Sequence, residues 1–175
     1  MNVNKGILVR KNNEFILVTS YLISLIDVTD PEQDFIYLPI DISFDDLGAM
    51  IKKKLSASKV LNNEEFSKIM NSDKIKKLDK NLEIDMKKKF NYKNRKSIYQ
   101  YMDFLTIDIN NNKIIIKPKH QDSLDGFTTL KNSEGEITQF EYPLTITDEE
   151  LGKATMDAFE YCTSIYSFIR ENSSK

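Results

Sequence analysis

One eleven-residue pattern occurs twice in this chain and limits what the rest can fold into. Leu38-Pro39-Ile40-Asp41-Ile42-Ser43-Phe44-Asp45-Asp46-Leu47-Gly48 returns 104 positions later as Tyr142-Pro143-Leu144-Thr145-Ile146-Thr147-Asp148-Glu149-Glu150-Leu151-Gly152. The correspondence continues at helical spacing, with Leu47, Ile51, Leu55 and Ser58 against Leu151, Thr155, Phe159 and Cys162. In each copy a short apolar run leads to a hydroxyl residue with an acid three positions later, the capping-box pattern that opens a helix. Ser43 with Asp46, and Thr147 with Glu150, are the expected cap pairs, and first-turn carboxylates favour the positive end of the helix dipole. Gly48 and Gly152 fall inside these helices, where Gly costs about 1 kcal/mol relative to Ala. A cost accepted twice at the same place points to a close approach, expected here between helix and sheet. None of the repeated positions carries a catalytic group. Neighbouring acids on a helix point in different directions, so capping explains them better than a metal site or an acid–base pair.

The remaining segments read as strands and helices around these two corners. Gly6 to Arg10 and Glu14 to Ser20 are β-rich runs joined by the turn Lys11-Asn12-Asn13. Phe35 to Ile40 is a further strand, followed by a helix from about Phe44 to Ser58. Apolar residues at Phe66, Ile69, Met70, Ile75, Leu78, Leu82, Met86 and Phe90 keep helical spacing with an interruption near Asn71-Ser72-Asp73, giving two helices or one broken one. Tyr99 to Ile109 and Lys113 to Lys117 alternate as strands around the turn Asn110-Asn111-Asn112, and Pro118 places the second at an end or an edge. Phe127 to Leu130 is a candidate short strand, Ile137 to Ile146 a last strand, and Asp148 to Arg170 a last helix. The expected class is α+β: a mostly antiparallel twisted sheet with the two Leu-Gly helices packed on it, within one domain spanning 1–175. A helical insertion occupies about 62–96. The repeat is expected to cover only strand end and helix.

Charge is segregated along the chain. The net value is −2, yet residues 68–96 carry eleven Lys or Arg against four acids, so the rest is acidic. Lys87, Lys88, Lys89, Lys93, Arg95 and Lys96 beside Phe90, Tyr92, Tyr99 and Tyr101 offer an alternative function, a nucleic-acid-binding module. The sequence pI of ≈ 5.6 is far from the basic balance such binding uses, so a solvated helix face is favoured. A single Cys excludes an internal disulfide and fits a reducing compartment. The absence of a signal-peptide pattern or a membrane-length apolar run makes the cytoplasm the expected location.

Catalytic candidates are few. His120 is the one histidine and follows Lys117-Pro118-Lys119, where exposure is expected; one His and one Cys cannot build a His/Cys metal site. Cys162 takes the place of Ser58 on the final helix, a small packing position without a basic neighbour to form a thiolate. None of the five glycines lies in a Gly-rich phosphate loop. A hydrolase built on His120 therefore ranks behind the other readings.

The doubled motif, Ser43 through Ile51 with Leu55 and Ser58, and Asp148 through Ala154 with Ala158 and Phe159, resembles the immunity proteins of contact-dependent growth inhibition systems (CdiI). The order of elements resembles that family as well, over most of the chain. Cys162, where the family usually has a small hydroxyl residue, and Thr155, in place of an apolar one, are departures. The resemblance implies a non-enzymatic cytoplasmic protein without a cofactor or metal, which binds and neutralises a cognate toxin, often a nuclease, delivered by a neighbouring cell. It also implies that an extended toxin segment can lie against the sheet, where an edge strand offers unpaired backbone groups. A nuclease's basic active face would be met by acids, and Asp122, Asp125, Glu134, Glu136 and Glu141 are the candidates, since no helix cap accounts for them.

Overall fold

In the computed structural model, which describes residues 4–172, a first set of elements runs β1 (Lys5–Lys11), β2 (Phe15–Ile23), β3 (Val28–Thr29), β4 (Tyr37–Pro39), α1 (Phe44–Ala57) and β5 (Lys59–Val60). Three helices follow, α2 (Asn63–Met70), α3 (Asp73–Phe90) and α4 (Arg95–Tyr99). The second set is β6 (Asp103–Asn110), β7 (Lys113–Gln121), β8 (Phe127–Thr129), β9 (Phe140–Pro143), α5 (Asp148–Phe159) and β10 (Thr163–Ser164), and α6 (Ser167–Asn172) ends the described chain. The strands form one sheet along β10-β7-β6-β1-β2-β3, with β4 and β5 also on β2, and β8 and β9 also on β7. Pairing is antiparallel except for β5 on β2 and β10 on β7. This is the expected α+β class.

The second set repeats the first, element for element. Phe15 faces Pro39 as Lys113 faces Pro143, and Leu22 faces Lys59 as His120 faces Thr163. The residues on β7 thus follow those on β2 by 98 positions, and their partners follow by 104. Ile7 facing Ser20 and Leu105 facing Pro118 give the same 98 for β1 and β6. At the centre Leu8 pairs with Thr106, its own counterpart, so a pseudo-twofold axis passes between β1 and β6. The repeat is therefore not confined to a strand end and a helix. In the strands it conserves register, not residue identity, and so escapes a letter-by-letter comparison.

Both Leu-Gly helices lie on one face of the sheet. Leu47, Ile51, Leu55, Leu151 and Phe159 pack there on Ile7, Val9, Ile16, Val18, Leu105, Ile107, Ile114 and Ile116. A fully buried Ile or Leu contributes about 1.5–3 kcal/mol, so this layer supplies a large share of the stabilisation. A Cβ built on Gly48 would stand 1.8 Å from the carbonyl oxygen of Asp148, and one on Gly152 would stand 1.9 Å from that of Phe44. Each carbonyl belongs to the first residue of the facing helix, so the close approach is helix to helix, not helix to sheet. Thr155 is tolerated in this layer because its Oγ1 donates to the Leu151 carbonyl at 2.8 Å.

The opposite face is covered unequally. Leu78, Leu82 and Met86 of α3 and Ile98 and Tyr99 of α4 pack on Leu8, Phe15, Leu17 and Phe104. The expected interruption is real, since Ser72 caps α3 by accepting from the Ile75 N–H. Where a strand was expected from Tyr99, α4 occupies Arg95–Tyr99. The last helix is also shorter than its periodicity suggests: α5 ends at Phe159, and Cys162 lies beyond it in the turn to β10, not on a helix. The last long strand reduces to Phe140–Pro143, with Ile137 joined only by a bridge to Lys131.

Candidate partner-binding surface

The cap residues set the geometry of both corners. Ser43 Oγ accepts from the Asp46 N–H at 3.1 Å and donates to Asp46 Oδ2 at 2.7 Å. Thr147 Oγ1 accepts from the Glu150 N–H at 3.2 Å, and Glu150 Oε2 accepts from the Thr147 N–H at 2.9 Å. That return bond holds the Glu150 carboxyl below the usual carboxylate range. At the helix ends, Ser58 Oγ accepts from the Gly6 N–H and donates to the Tyr21 carbonyl, both at 3.0 Å. Cys162 Sγ, at the matching position, donates to the carbonyl of Phe104, which is the counterpart of Gly6, at 3.3 Å. Burial pushes its thiol up to about 12, the opposite of what a reactive cysteine needs.

Beyond the corners the two halves present different surfaces. Phe15 stacks on Phe90 of α3 at a centroid distance of 4.8 Å, Tyr37 meets the same ring edge to face at 5.3 Å, and Lys89 Nζ lies 4.9 Å from the Tyr37 ring centroid. Their counterparts Lys113 and Glu141 are exposed and form an ion pair at 2.6 Å. Lys117, the counterpart of buried Thr19, pairs with Asp108 at 2.9 Å. The hydrogen bond from Lys113 holds the Glu141 carboxyl below its ordinary value, while burial, then the Lys117 charge, holds the Lys119 ammonium below its own. Among the described residues β9 pairs with β7 alone, so its outer backbone groups form an edge.

The candidate acids fall in three places. Asp122 accepts from Ser123 Oγ at 3.2 Å in the β7–β8 turn. Asp125, in the same turn, is bound by Arg95, which also donates to Glu83 at 2.7 Å, so its charge ties the turn to the inserted helices. Glu134 and Glu136 share the β8–β9 loop, where Asn132 Oδ1 accepts from both backbone N–H groups at 3.0 Å and Gly135 takes φ 83°. Glu141 lies on β9. Glu134 and Glu136 are thus brought together, Glu141 is on the adjoining strand, and the two aspartates sit at the other end of β8. Nothing in the local sequence signals the Lys113–Glu141 or Arg95–Asp125 pairs, because both partners come from distant segments.

Other candidates are absorbed by the scaffold. His120 Nδ1 shares a 2.7 Å hydrogen bond with Thr163 Oγ1 on β10. The aromatics of the basic segment turn inward: Tyr99 is buried, Phe90 stacks on Phe15, and Tyr92 Oη accepts from Asn12 Nδ2 at 2.9 Å. They are not the exposed stacking platforms that single-stranded nucleic acid uses. Among the described residues no group of three or more His, Cys, Asp or Glu could hold a metal ion, and no helix is long and apolar enough to cross a membrane.

Comparison with known proteins agrees with this architecture. A family model described as CdiI, CDI immunity protein, matches residues 5–162. No curated protein sequence matches the chain. Among solved structures, a CdiA-CT/CdiI toxin and immunity complex from Yersinia pseudotuberculosis aligns with a TM-score of 0.81 at 20% identity, over 93% of this chain and 100% of the other. A protein of unknown function from Neisseria meningitidis aligns with a TM-score of 0.81 at 16% identity, over 91% of this chain and 96% of that one. At these identities the likeness is one of fold.

Proposed function

Because the chain belongs to the CDI immunity protein family, CdiI, we propose that it acts in the cytoplasm as a non-catalytic inhibitor of one cognate contact-dependent growth inhibition toxin, a nuclease. The observation that carries this reading is the family match across residues 5–162, which takes in both Leu-Gly corners and the inserted helices. The edge of β9 supports a contact in which an extended toxin segment gains main-chain hydrogen bonds while alternating side chains select it. Glu134 and Glu136, beside that edge, steer and discriminate a basic nuclease face, and Glu141 on it contributes once the toxin competes with Lys113 for its carboxylate. Asp122 supplies a weaker outlying charge, and Asp125 contributes least because Arg95 already neutralises it.

Co-expression with the toxic C-terminal domain encoded beside this chain tests the proposal. Growth is restored, and the two chains purify as a stable complex. Continued arrest with the protein present and folded overturns it. Reversing Glu134, Glu136 and Glu141 together to Lys slows association at low salt by about 10-fold or more, and an unchanged association rate rejects the assignment of the acids.

A further inference from the structure

Where the end of α1 meets the β6–β7 turn, a cavity of ≈ 380 Å³ opens over Leu55, Ile109, Ile114 and Leu144, with Lys5 and Lys52 in its wall. We infer that this cavity receives one aromatic side chain of the bound partner; the inference rests on the toxin-binding reading and adds a contact away from the acids.

The chain itself displays the occupant. In the pseudo-equivalent corner of the second half, Phe159 stands where the first half has Leu55, 104 positions earlier, and Lys11 stands where the second half has Ile109, 98 positions later. There Lys11 Nζ lies 5.4 Å from the centroid of the Phe159 ring. One corner therefore fills itself with a phenyl ring under an ammonium group, and the other leaves apolar space beside two ammonium groups. A much smaller apolar cavity, about 150 Å³, already admits benzene.

Charge complementarity selects the same class of side chain. Lys5 Nζ donates to the Ser58 and Ser56 carbonyls at 2.6 and 3.2 Å and has no carboxylate partner among the described residues. Lys52 Nζ donates to the Ile146 carbonyl at 2.7 Å and pairs with Asp148 at 2.6 Å. A carboxylate entering the cavity would answer Lys5 alone, since Lys52 already pairs with Asp148, and would leave the exposed parts of Ile109 and Leu144 uncovered. An aliphatic side chain would do the reverse. A ring covers the apolar floor and turns its negative face to the ammonium groups. Aromatic anchors in such pockets are the usual centres of binding energy at protein interfaces.

Methyl NMR on the full chain with labelled Ile and Leu, titrated with indole as the probe, tests the cavity. Indole shifts the methyls of Leu55, Ile109, Ile114 and Leu144 in the native protein. It fails to do so in Leu55→Phe, which copies the filled corner, and in Leu144→Asp, whose site is 45% exposed and tolerates the change. Cognate toxin domain bound to the protein abolishes the indole shifts, and Leu144→Asp weakens toxin binding at least 10-fold. If indole leaves these methyls unmoved, or the toxin binds Leu144→Asp as tightly as the native protein, the anchor pocket is overturned while toxin binding itself stands. If the native protein binds no toxin domain, the immunity reading falls and the proposed occupant falls with it.

Discussion

The two halves of this molecule share a backbone plan and divide over one sheet face. On the helix-covered face their residues are interchangeable in kind: Ile7, Val9 and Ile16 in the first half, Leu105, Ile107 and Ile114 in the second. On the opposite face Phe15 and Tyr37 lie under α3, whereas Lys113 and Glu141 at the matching positions form an exposed ion pair. The inserted helices come from one crossover and reach only part of that face. Where they cover it, the strands are apolar; where they do not, the strands carry charge. A duplicated scaffold thus has one half carrying most of the insertion and the other, beyond Phe104, left to meet solvent or a partner.

The largest test of this equivalence is at the crossing of α1 and α5. Gly48→Ala and Gly152→Ala each push a methyl into backbone, and each is expected to cost at least about 3 kcal/mol in urea unfolding. The two losses should agree within about 1 kcal/mol if the halves are true counterparts; a mild effect at either glycine would break the comparison. The next effect separates the opposite faces. Phe15→Ala is expected to cost about 3–5 kcal/mol, and Lys113→Ala about 0.5 kcal/mol or less, because an exposed ion pair contributes little. Equal losses would mean that the second half is not open where its charges lie.

The smallest effect concerns the caps. Glu150 is held below its ordinary 4.5 by the Thr147 N–H, so its folded-state pKa is depressed. Its contribution is whole above the unfolded value and lost as pH falls through the folded one. The stability gap between the native chain and Glu150→Gln should therefore be present at about pH 6 and shrink toward about pH 3. A gap that stays constant on acidification would show that the return bond of the capping box is not formed.

Much of this fold can be read locally. The hydroxyl–acid spacing at Ser43 and Thr147, the Asn-rich hairpin turns and the break at Asn71-Ser72-Asp73 all depend on neighbours within one turn of chain. The end of α5 was also within reach. Ser58 ends α1, and Cys162 lies 104 positions on, but Tyr161, Ile165, Phe168 and Ile169 continue an apolar pattern that suggests a longer helix. The short pairings at β5 and β10 carry no such signal, because two residues have no period. The candidate acids were legible as a class of residue and not as a site. Whether Asp125 is free depends on Arg95, and whether Glu141 is free depends on Lys113, partners that no spacing rule connects to them.

The sequence by itself determined the long hairpin strands, most of the helices, the caps of α1 and α5, the α+β class and the presence of a duplication, because these follow from propensity, periodicity and hydrogen bonds between near neighbours. Only the tertiary structure decided what the duplication means. It placed each repeated glycine against the other's helix, extended the repeat across the whole sheet, and laid the insertion over the first half and only the adjoining Phe104 side of the second. Those are contacts between segments about a hundred residues apart, fixed by backbone register and by which surfaces remain to be buried once the local elements have formed.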